Sequence, residues 1–540
     1  MSIEYFVEGQ VNVHTSGDYL VYSPENIEHN AALSVEQDGK ENGTSYNKAK
    51  TIHPNDKPVN SIQVSLNLFF DGTGNNKSNT EARKANSTHY HKEGNKKDDS
   101  FENEFSNIAR GYDAIDPDAE NQVAEYIEGI GTIDFKGDDL IPGQATGMGE
   151  NGIVGKVTKG CMKAAEKLRK YGGREISVLK VNVFGFSRGA AAARHFIHLA
   201  NRAPTISYSQ GGKVLQVFPP KNLPNATLII NDEDGAKLPF INQYGYFGAY
   251  LAKNGLNIKK IVFNFVGLYD TVASYGIVHK NDTEDLGLSS ISKAYFVLQL
   301  ASDDEYRSNF RLTNINSAGL HGLEFTLPGV HSDIGGAYRN GTEEPETSLH
   351  RYENQKLYTS KDRQQCERFR ETLIREGWYT PSEITIEAGS KSVVPGRRHL
   401  PSSYTLMGKR VLSNHYDKVP LNTMFHYSKQ EIFGVKYMED IISKMHKIEG
   451  DLSTIYNQLL NYMNACNQKR NDFVAGKISG NYIDDIKHIH YQNFITEENL
   501  KLLRNQYLHW SVKYGDLVVN GENASGVLPA SQRKRTIQDG

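Results

Sequence analysis

A buried strand that runs into a glycine-flanked serine, and then into an alanine-rich helix, constrains this chain more than any other stretch. Ile176 to Phe184 is rich in β-branched and apolar residues, as a buried strand requires. Gly185-Phe186-Ser187-Arg188-Gly189 then fits the G-x-S-x-G pattern of a nucleophile turn. Ala190 to Ala193 open a strong helix. The glycines let strand and helix pass close together while Ser187 takes a strained backbone conformation. That geometry pushes a hydroxyl out at the end of a sheet, beside a helix N-terminus. The five-residue pattern alone also arises by chance; its place between strand and helix makes Ser187 the candidate nucleophile.

The chain has 540 residues, room for one large domain with insertions or for two to three domains. A net charge of -3 argues against nucleic acid as a partner, because such a binder carries a basic excess. No apolar run approaches the roughly 20 residues needed to span a bilayer. Met1-Ser2-Ile3-Glu4-Tyr5 lacks the basic and apolar regions of a secretory signal. Cys161, Cys366 and Cys466 are widely spaced and suggest neither a disulfide framework nor a zinc site. Synthesis in a reducing cytoplasm is the expectation.

The organisation reads as α/β, a mostly parallel sheet with helices on both faces, large insertions and a mainly helical C-terminal region. Residues 1–60 are a polar arm. Residues 61–435 form the main domain, with insertions at about 203–257 and 340–400, and 436–540 form the helical region. Strands are expected at Ile62–Phe70, Val123–Ile130, Ile176–Phe184 and Lys259–Gly267, and helices at Asn103–Asp113 and Lys156–Tyr171. The Asn- and Lys-rich stretch up to about residue 100 reads as mobile. Ile441, Met445, Ile448, Leu452, Ile455, Leu459, Tyr462 and Cys466 recur at alternating spacings of four and three, one apolar stripe on a long helix. Packing of that stripe on the domain's own core is favoured over a membrane surface, because its polar face carries both charge signs.

A serine hydroxyl needs a general base and a third group to orient that base. When the partners follow in the order serine, acid, histidine, each sits at the carboxyl end of a strand. Asp270 ends the apolar Lys259–Gly267 strand; the competing reading is a turn or helix-capping aspartate. His331 follows a Pro-Gly turn in the small-residue setting His331-Ser332-Asp333-Ile334-Gly335-Gly336, and is preferred as base over His415 and His321. Asp333 is expected either to orient that loop or to cap the following turn. The oxyanion donors expected are the backbone N–H of Arg188 and those of Gly72 and Thr73, in the loop after the first strand. Gly129-Ile130-Gly131-Thr132 reads as close packing near the site. Arg188 and Arg194 face either an anionic group or a structural partner. Asp71 and Asp333 lack the ligand-spaced neighbours of a metal site, so no metal or cofactor is expected. Tyr244, Tyr246, Phe247 and Tyr250 form either a lid that contacts an apolar substrate or a packed aromatic core.

Leu68-Phe69-Phe70-Asp71-Gly72-Thr73, Glu128-Gly129-Ile130-Gly131-Thr132, the Ser187 motif, Val266-Gly267-Leu268-Tyr269-Asp270-Thr271-Val272 and Pro328-Gly329-Val330-His331-Ser332-Asp333 occur in one order. Together they resemble the DUF2235-type α/β-hydrolase domain, and within it the Tle1-type phospholipase effectors of bacterial type VI secretion. The resemblance covers about residues 62–340 and extends to Val419-Pro420-Leu421-Asn422-Thr423-Met424. It implies phospholipid ester hydrolysis by Ser187, Asp270 and His331. It also implies delivery on a type VI secretion spike component without a signal peptide, action in the periplasm or at the membrane of a target cell, and a cognate immunity protein. One departure stands out. The family pattern implies a helix bearing a histidine where Tyr295 to Arg307 carries Gln299, while Asp304, Glu305 and Arg307 remain. Two alternatives stay open: an esterase of soluble acyl substrates, and a non-catalytic, secretion-associated binding protein.

Overall fold

Long apolar strands that end in glycine-rich loops pair only in a sheet covered on both sides, and the chain builds such a sheet. The computed structural model describes residues 61–94, 100–139, 147–220, 227–274, 282–339, 352–389, 403–511 and 533–540. The expected arm, residues 1–60, lies outside them. The central sheet comprises β1 (Ile62–Phe70), β2 (Gln122–Ile127), β3 (Glu175–Phe186), β4 (Ile261–Tyr269), β5 (Phe296–Ser302) and β6 (Gly322–Leu327). Their order in space is β6-β5-β4-β3-β1-β2, and every neighbouring pair is parallel. The short strand Asn257–Ile258 extends the sheet beside the start of β3. The chain lays β2 on one side of β1, then crosses to build β3 to β6 on the other. The direction of winding therefore reverses between β1 and β3, where a parallel sheet leaves a crevice at its carboxyl edge.

Burial explains the strands. β1 alternates at its start, with Ile62 and Val64 buried and Gln63 exposed, and is buried on both faces from Leu66 onward. On one face Leu66, Leu68, Phe70, Val181 and Val183 pack beneath three helices. On the other Phe69, Phe184 and Phe265 meet a second core. The helices are α1 (Asn107–Asp113), α2 (Ile153–Leu168), α3 (Arg188–Asn201), α4 (Lys237–Lys253), α5 (Lys418–Ser428) and α6 (Asp451–Val474). α2, α3 and α4 supply Val157, Cys161, Phe196 and Phe247 to the first core, and α1, α5 and α6 supply Ile108, Met424, Ile455 and Leu459 to the second. Each fully buried apolar side chain contributes about 1.5–3 kcal/mol. A polar ladder crosses this apolar sheet. Asn264 donates to Asn182 Oδ1 (2.9 Å), and Asn182 donates to Asn67 Oδ1 (2.8 Å). Buried amides must be paired, so a slipped register would strand them, and the ladder fixes β1, β3 and β4 against one another.

Several expectations change. The polar stretch after Asn76 holds two short helices, Lys77–Lys84 and Thr88–Glu93, whose Asn76 and Ser87 side chains cap them. The 203–257 insertion forms an antiparallel sheet of Ile206–Ser209, Val214–Val217 and Leu228–Asn231, followed by α4. Within 340–400, Tyr352–Ser360 and Ile384–Ala388 flank Tyr404–Val411 in a second antiparallel sheet, with a helix at Arg363–Arg375. The apolar stripe from Ile441 to Cys466 is divided between Glu439–Met445 and α6, because Gly450 (φ 59°) turns the chain between them. Leu452, Ile455, Leu459, Tyr462 and Cys466 are buried in the second core, whereas Met445 is 61% exposed. The Gln299 segment is strand β5 rather than a helix, held between β4 and β6. Among the described residues, no helix is long and apolar enough to cross a membrane.

A buried charge cluster ties α2 to the loop after β2. Lys156 Nζ donates to Glu128 Oε1 (2.7 Å) and to the Thr132 carbonyl (2.7 Å), and Lys159 also pairs with Glu128. Burial alone would raise the Glu128 carboxyl; Lys156 and Lys159 outweigh it and bring it down to about 2. A depressed carboxylate stabilises the fold above its unfolded value near 4.5, and that contribution fades as pH falls toward 2. K156M, which leaves Glu128 without its innermost cation, should cost about 3 kcal/mol in urea unfolding at neutral pH. An unchanged urea midpoint would show that the pair contributes nothing to the fold.

Candidate active site

Ser187, Asp270, His331 and the Gly72-Thr73 loop each follow the carboxyl end of a strand of the central sheet. β3 ends at Phe186, and α3 starts at Arg188. Between them Ser187 takes φ 57° and ψ −127°, a conformation that non-glycine residues rarely hold unless their surroundings impose it. The glycines explain how it is imposed. A Cβ on Gly185 would lie 2.4 Å from the Gly189 carbonyl, and one on Gly189 would lie 2.2 Å from the Asp71 carbonyl. Strand, helix and the loop after β1 therefore meet backbone to backbone. The Ser187 amide donates to the Tyr269 carbonyl (3.0 Å), which joins the turn to β4.

Asp270 follows β4, also at positive φ (48°) and fully buried. Its Oδ2 lies 2.5 Å from His331 Nδ1. The Ser302 amide donates to Oδ1 (2.8 Å), and Arg535 clasps both oxygens. Burial would raise this carboxyl, but Arg535 and then His331 hold it well below the usual carboxylate range. With Nδ1 facing an anion, the imidazole carries its proton there and leaves Nε2 as a base. The ring is 3% exposed, packed between Phe186 (4.7 Å between centroids) and Phe310 (5.0 Å). Gly335 makes room for this, since a Cβ there would lie 2.0 Å from the Phe186 ring. Ser187 Oγ makes no hydrogen bond among the described residues. The acid and the histidine are hydrogen-bonded, and no hydrogen bond joins Ser187 Oγ to His331 among the described residues.

The loop after β1 is held from three sides. Asp71 accepts from Tyr126 Oη (2.6 Å), Ser106 Oγ (2.7 Å) and the Gly72 amide (2.7 Å). Burial pushes the Asp71 carboxyl up to about 6 against these hydrogen bonds. The Gly72 amide, expected to point at substrate, is thus committed to Asp71. The Thr73 and Arg188 amides have no partner among the described residues. Arg188 Nε donates to Thr73 Oγ1 (2.8 Å) and ties the turn to this loop. Desolvation lowers the Arg188 guanidinium to about 10. Gly129-Ile130-Gly131-Thr132 packs against it, with Gly74 donating to the Ile130 carbonyl (3.1 Å).

Other expectations resolve differently. Tyr244, Tyr246, Phe247 and Tyr250 are buried on α4 in the first core, so they form the packed alternative and not a lid. Arg194 is fully buried and donates to the carbonyls of Leu288 (3.1 Å) and Asn314 (3.0 Å), the contacts of a structural residue. His321 is exposed and bonded to the Tyr295 carbonyl (3.0 Å), and His415 lies in a turn after Ser413. Asp333 accepts from the Val330 amide (3.0 Å) and pairs with His509 (2.7 Å), orienting the histidine loop. Gln299 bridges β5 to β6 through Glu324 (2.7 Å) and contacts Thr271. Ser302 and Arg535 carry no signal in the sequence, whereas Glu305 is one of the residues kept from the family pattern. Glu305 accepts from the His331 amide (3.3 Å). Arg535 lies in the basic run Arg533-Lys534-Arg535, a pattern that ordinarily marks a solvated face.

A family model described as the type VI secretion phospholipase effector Tle1-like catalytic domain matches residues 65–358. The chain belongs to this Tle1-like family. A solved structure of the Tle1 effector bound to the VgrG spike from the type VI secretion system aligns over 92% of this chain and 98% of its own. Its TM-score is 0.53 at 19% identity, a likeness of fold. An uncharacterized protein from Pseudomonas aeruginosa aligns over 79% of the chain and 53% of its own at 16% identity, with a TM-score of 0.33 too low to inform the fold. No curated protein matches. The α/β-hydrolase-like sheet and the effector family expected from the motifs both stand.

A methyl group at Gly129 would fall 1.8 Å from the Gly72 carbonyl and 2.6 Å from that of Asn75. Both obstacles are backbone, so G129A should force the loop after β1 outward. We expect a loss of about 1–3 kcal/mol in urea unfolding. A variant as stable as the parent would show that the two loops do not depend on their close approach.

Proposed function

We propose that this chain is a phospholipase that cleaves acyl esters of membrane phospholipids, with Ser187 as nucleophile, His331 as general base and Asp270 as its orienting anion. The observation that carries the reading is the 2.5 Å contact of Asp270 with His331 at the same sheet edge as the strained Ser187 turn. Family membership supports phospholipid as the substrate class.

In this mechanism His331 Nε2 takes the Ser187 proton as Oγ attacks the ester carbonyl. The Thr73 and Arg188 amides, which have no partner among the described residues, receive the oxyanion. The tetrahedral intermediate collapses as the imidazolium gives its proton to the departing lysophospholipid hydroxyl, leaving an acyl-enzyme on Ser187. Water, deprotonated by His331, then releases the fatty acid and restores the serine. Asp270 stays ionised throughout and stabilises the imidazolium.

The solved Tle1 effector is bound to a VgrG spike. A spike protein of the same class is the proposed carrier here. The proposal further comprises synthesis in the producer's cytoplasm, action at the membrane of a target cell, and protection of the producer by an immunity protein.

S187A should lower fatty-acid release from phospholipid vesicles by about four to six orders of magnitude while keeping the fold, and D270N by about four. Undiminished release by S187A would remove the proposal. Faster turnover of short-chain nitrophenyl esters than of micellar phospholipid would transfer it to a soluble-ester esterase. Failure of a fluorophosphonate probe to label Ser187 would favour a non-catalytic binding role.

A further inference from the structure

Asp270 makes a contact that the mechanism does not use. The Arg535 guanidinium meets the carboxylate fork to fork: Nη1 bonds Oδ1, and Nη2 lies 2.8 Å from Oδ2. Nη1 also donates to the Ser302 carbonyl (2.9 Å) and to Ser302 Oγ (2.8 Å), and Nη2 to the Phe310 carbonyl (3.0 Å). The arginine side chain is 6% exposed. One cation thus grips the acid, the end of β5 and the residue whose ring packs on His331.

The segment that carries it is built into the fold. Ile537–Gln538 pairs in parallel with Leu312–Thr313. Leu312 donates to the Thr536 carbonyl (3.0 Å), and Asn314 donates to that of Gln538 (3.0 Å). Arg533 pairs with Glu376 (2.5 Å) at one end, and Asn314 donates to Asp539 (2.8 Å) at the other. Thr313 in turn donates to the carbonyl of Thr271, the residue after Asp270 (2.9 Å). The docked strand and the acid therefore share one continuous set of hydrogen bonds.

We propose that Arg535 is a positioning residue of this hydrolase, which fixes both oxygens of the Asp270 carboxylate in the geometry that His331 uses and balances part of their charge in the buried site. The inference rests on the Ser187, His331 and Asp270 reading. A carboxylate that faces imidazole alone stabilises the imidazolium with its whole charge. A bidentate guanidinium on the same oxygens takes up part of that field. Other charges near the pair are Glu305, whose carboxylate accepts from the His331 amide and is itself paired with Arg307 (2.8 Å), Asp303, which feels the Arg535 charge, and Asp304 and Asp333 on the flanking loops. Asp333 is paired with His509 (2.7 Å). Among these groups, Arg535 is the cation that touches the carboxylate of Asp270.

The test is the pH dependence of kcat/KM for the full chain, measured on phospholipid micelles. R535M keeps the aliphatic stem and removes the charge. Its acid limb should move to higher pH by about one unit. R535K, which keeps the charge, should stay near the wild-type limb. Should R535M fail to fold, R535Q, which can still donate to the Ser302 and Phe310 carbonyls, takes its place with the same expected shift. A limb that superimposes on the wild type in the uncharged variant, whatever happens to its plateau, overturns the inference. S187A separates the two levels. If it is fully active, the triad reading itself has failed; if it is inactive while the uncharged variant keeps the wild-type limb, only the role of Arg535 is lost.

Discussion

The carboxyl edge of the sheet depends on how closely three backbones approach one another. The loop after β1, the serine turn after β3 and the loop after β2 meet with carbonyl oxygens where side chains would otherwise stand. Gly189 lies against Asp71, Gly129 against Gly72, and Gly185 against the start of α3. The strained Ser187 conformation persists because these contacts over-determine it. Once the turn is fixed, its amide to Tyr269 sets the height of β4's end, and Asp270 follows at the next residue. The winding reversal puts this crowding between β1 and β3, where a crevice opens.

The wider fold keeps that edge rigid. The asparagine ladder across β1, β3 and β4 links the strands that carry the loop, the serine and the acid. A ladder of buried amides adds modest net stability, about 0.5–1.5 kcal/mol per bond, but makes any other register expensive. The charge cluster of Glu128 with Lys156 anchors the loop after β2 from below. The helices on the second face, including α5 and α6, close the core behind Phe184 and Phe265. The insertions form small antiparallel sheets of their own, so they leave the parallel order undisturbed.

The strand ends and their loops were legible because their signals are local: apolar runs, glycine spacing and chain order. Ser187, Asp270 and His331 were selected on position, and the fold brings the acid and the histidine together. The aromatic group on α4 misled because a cluster of tyrosines and phenylalanines has the same composition whether it faces a lipid or another helix. The helix expected around Gln299 came from a family pattern; the apolar Phe296–Ser302 run is buried between two strands, which β pairing favours. The apolar stripe continued through a turn because its period survives a break at Gly450 that spacing alone does not register. Arg535 carried no signal at all. It lies 265 residues from its partner Asp270, and a basic run looks solvated until a structure shows what it covers.

Two buried carboxylates, at the ends of the strands on either side of β3, show how the same side chain is held in different states. Asp71 accepts from neutral donors, a phenol, a hydroxyl and an amide, with no cation in contact among the described residues; burial dominates and its carboxyl rises to about 6. Asp270 is as deeply buried, yet a guanidinium and an imidazole hold it far below the ordinary range. The first can serve as a fastener for the loop, since its hydrogen bonds organise Gly72 and the backbone beside it. In the proposed mechanism the second must remain an anion whenever the histidine gains a proton, and neutral donors alone would not guarantee that in a fully buried site. A buried acid that must stay charged needs a permanent positive partner, but such a partner also drains the field that favours the imidazolium. The geometry at Asp270 resolves these demands by dividing its oxygens: Arg535 grips both, while His331 shares only Oδ2, along a short contact.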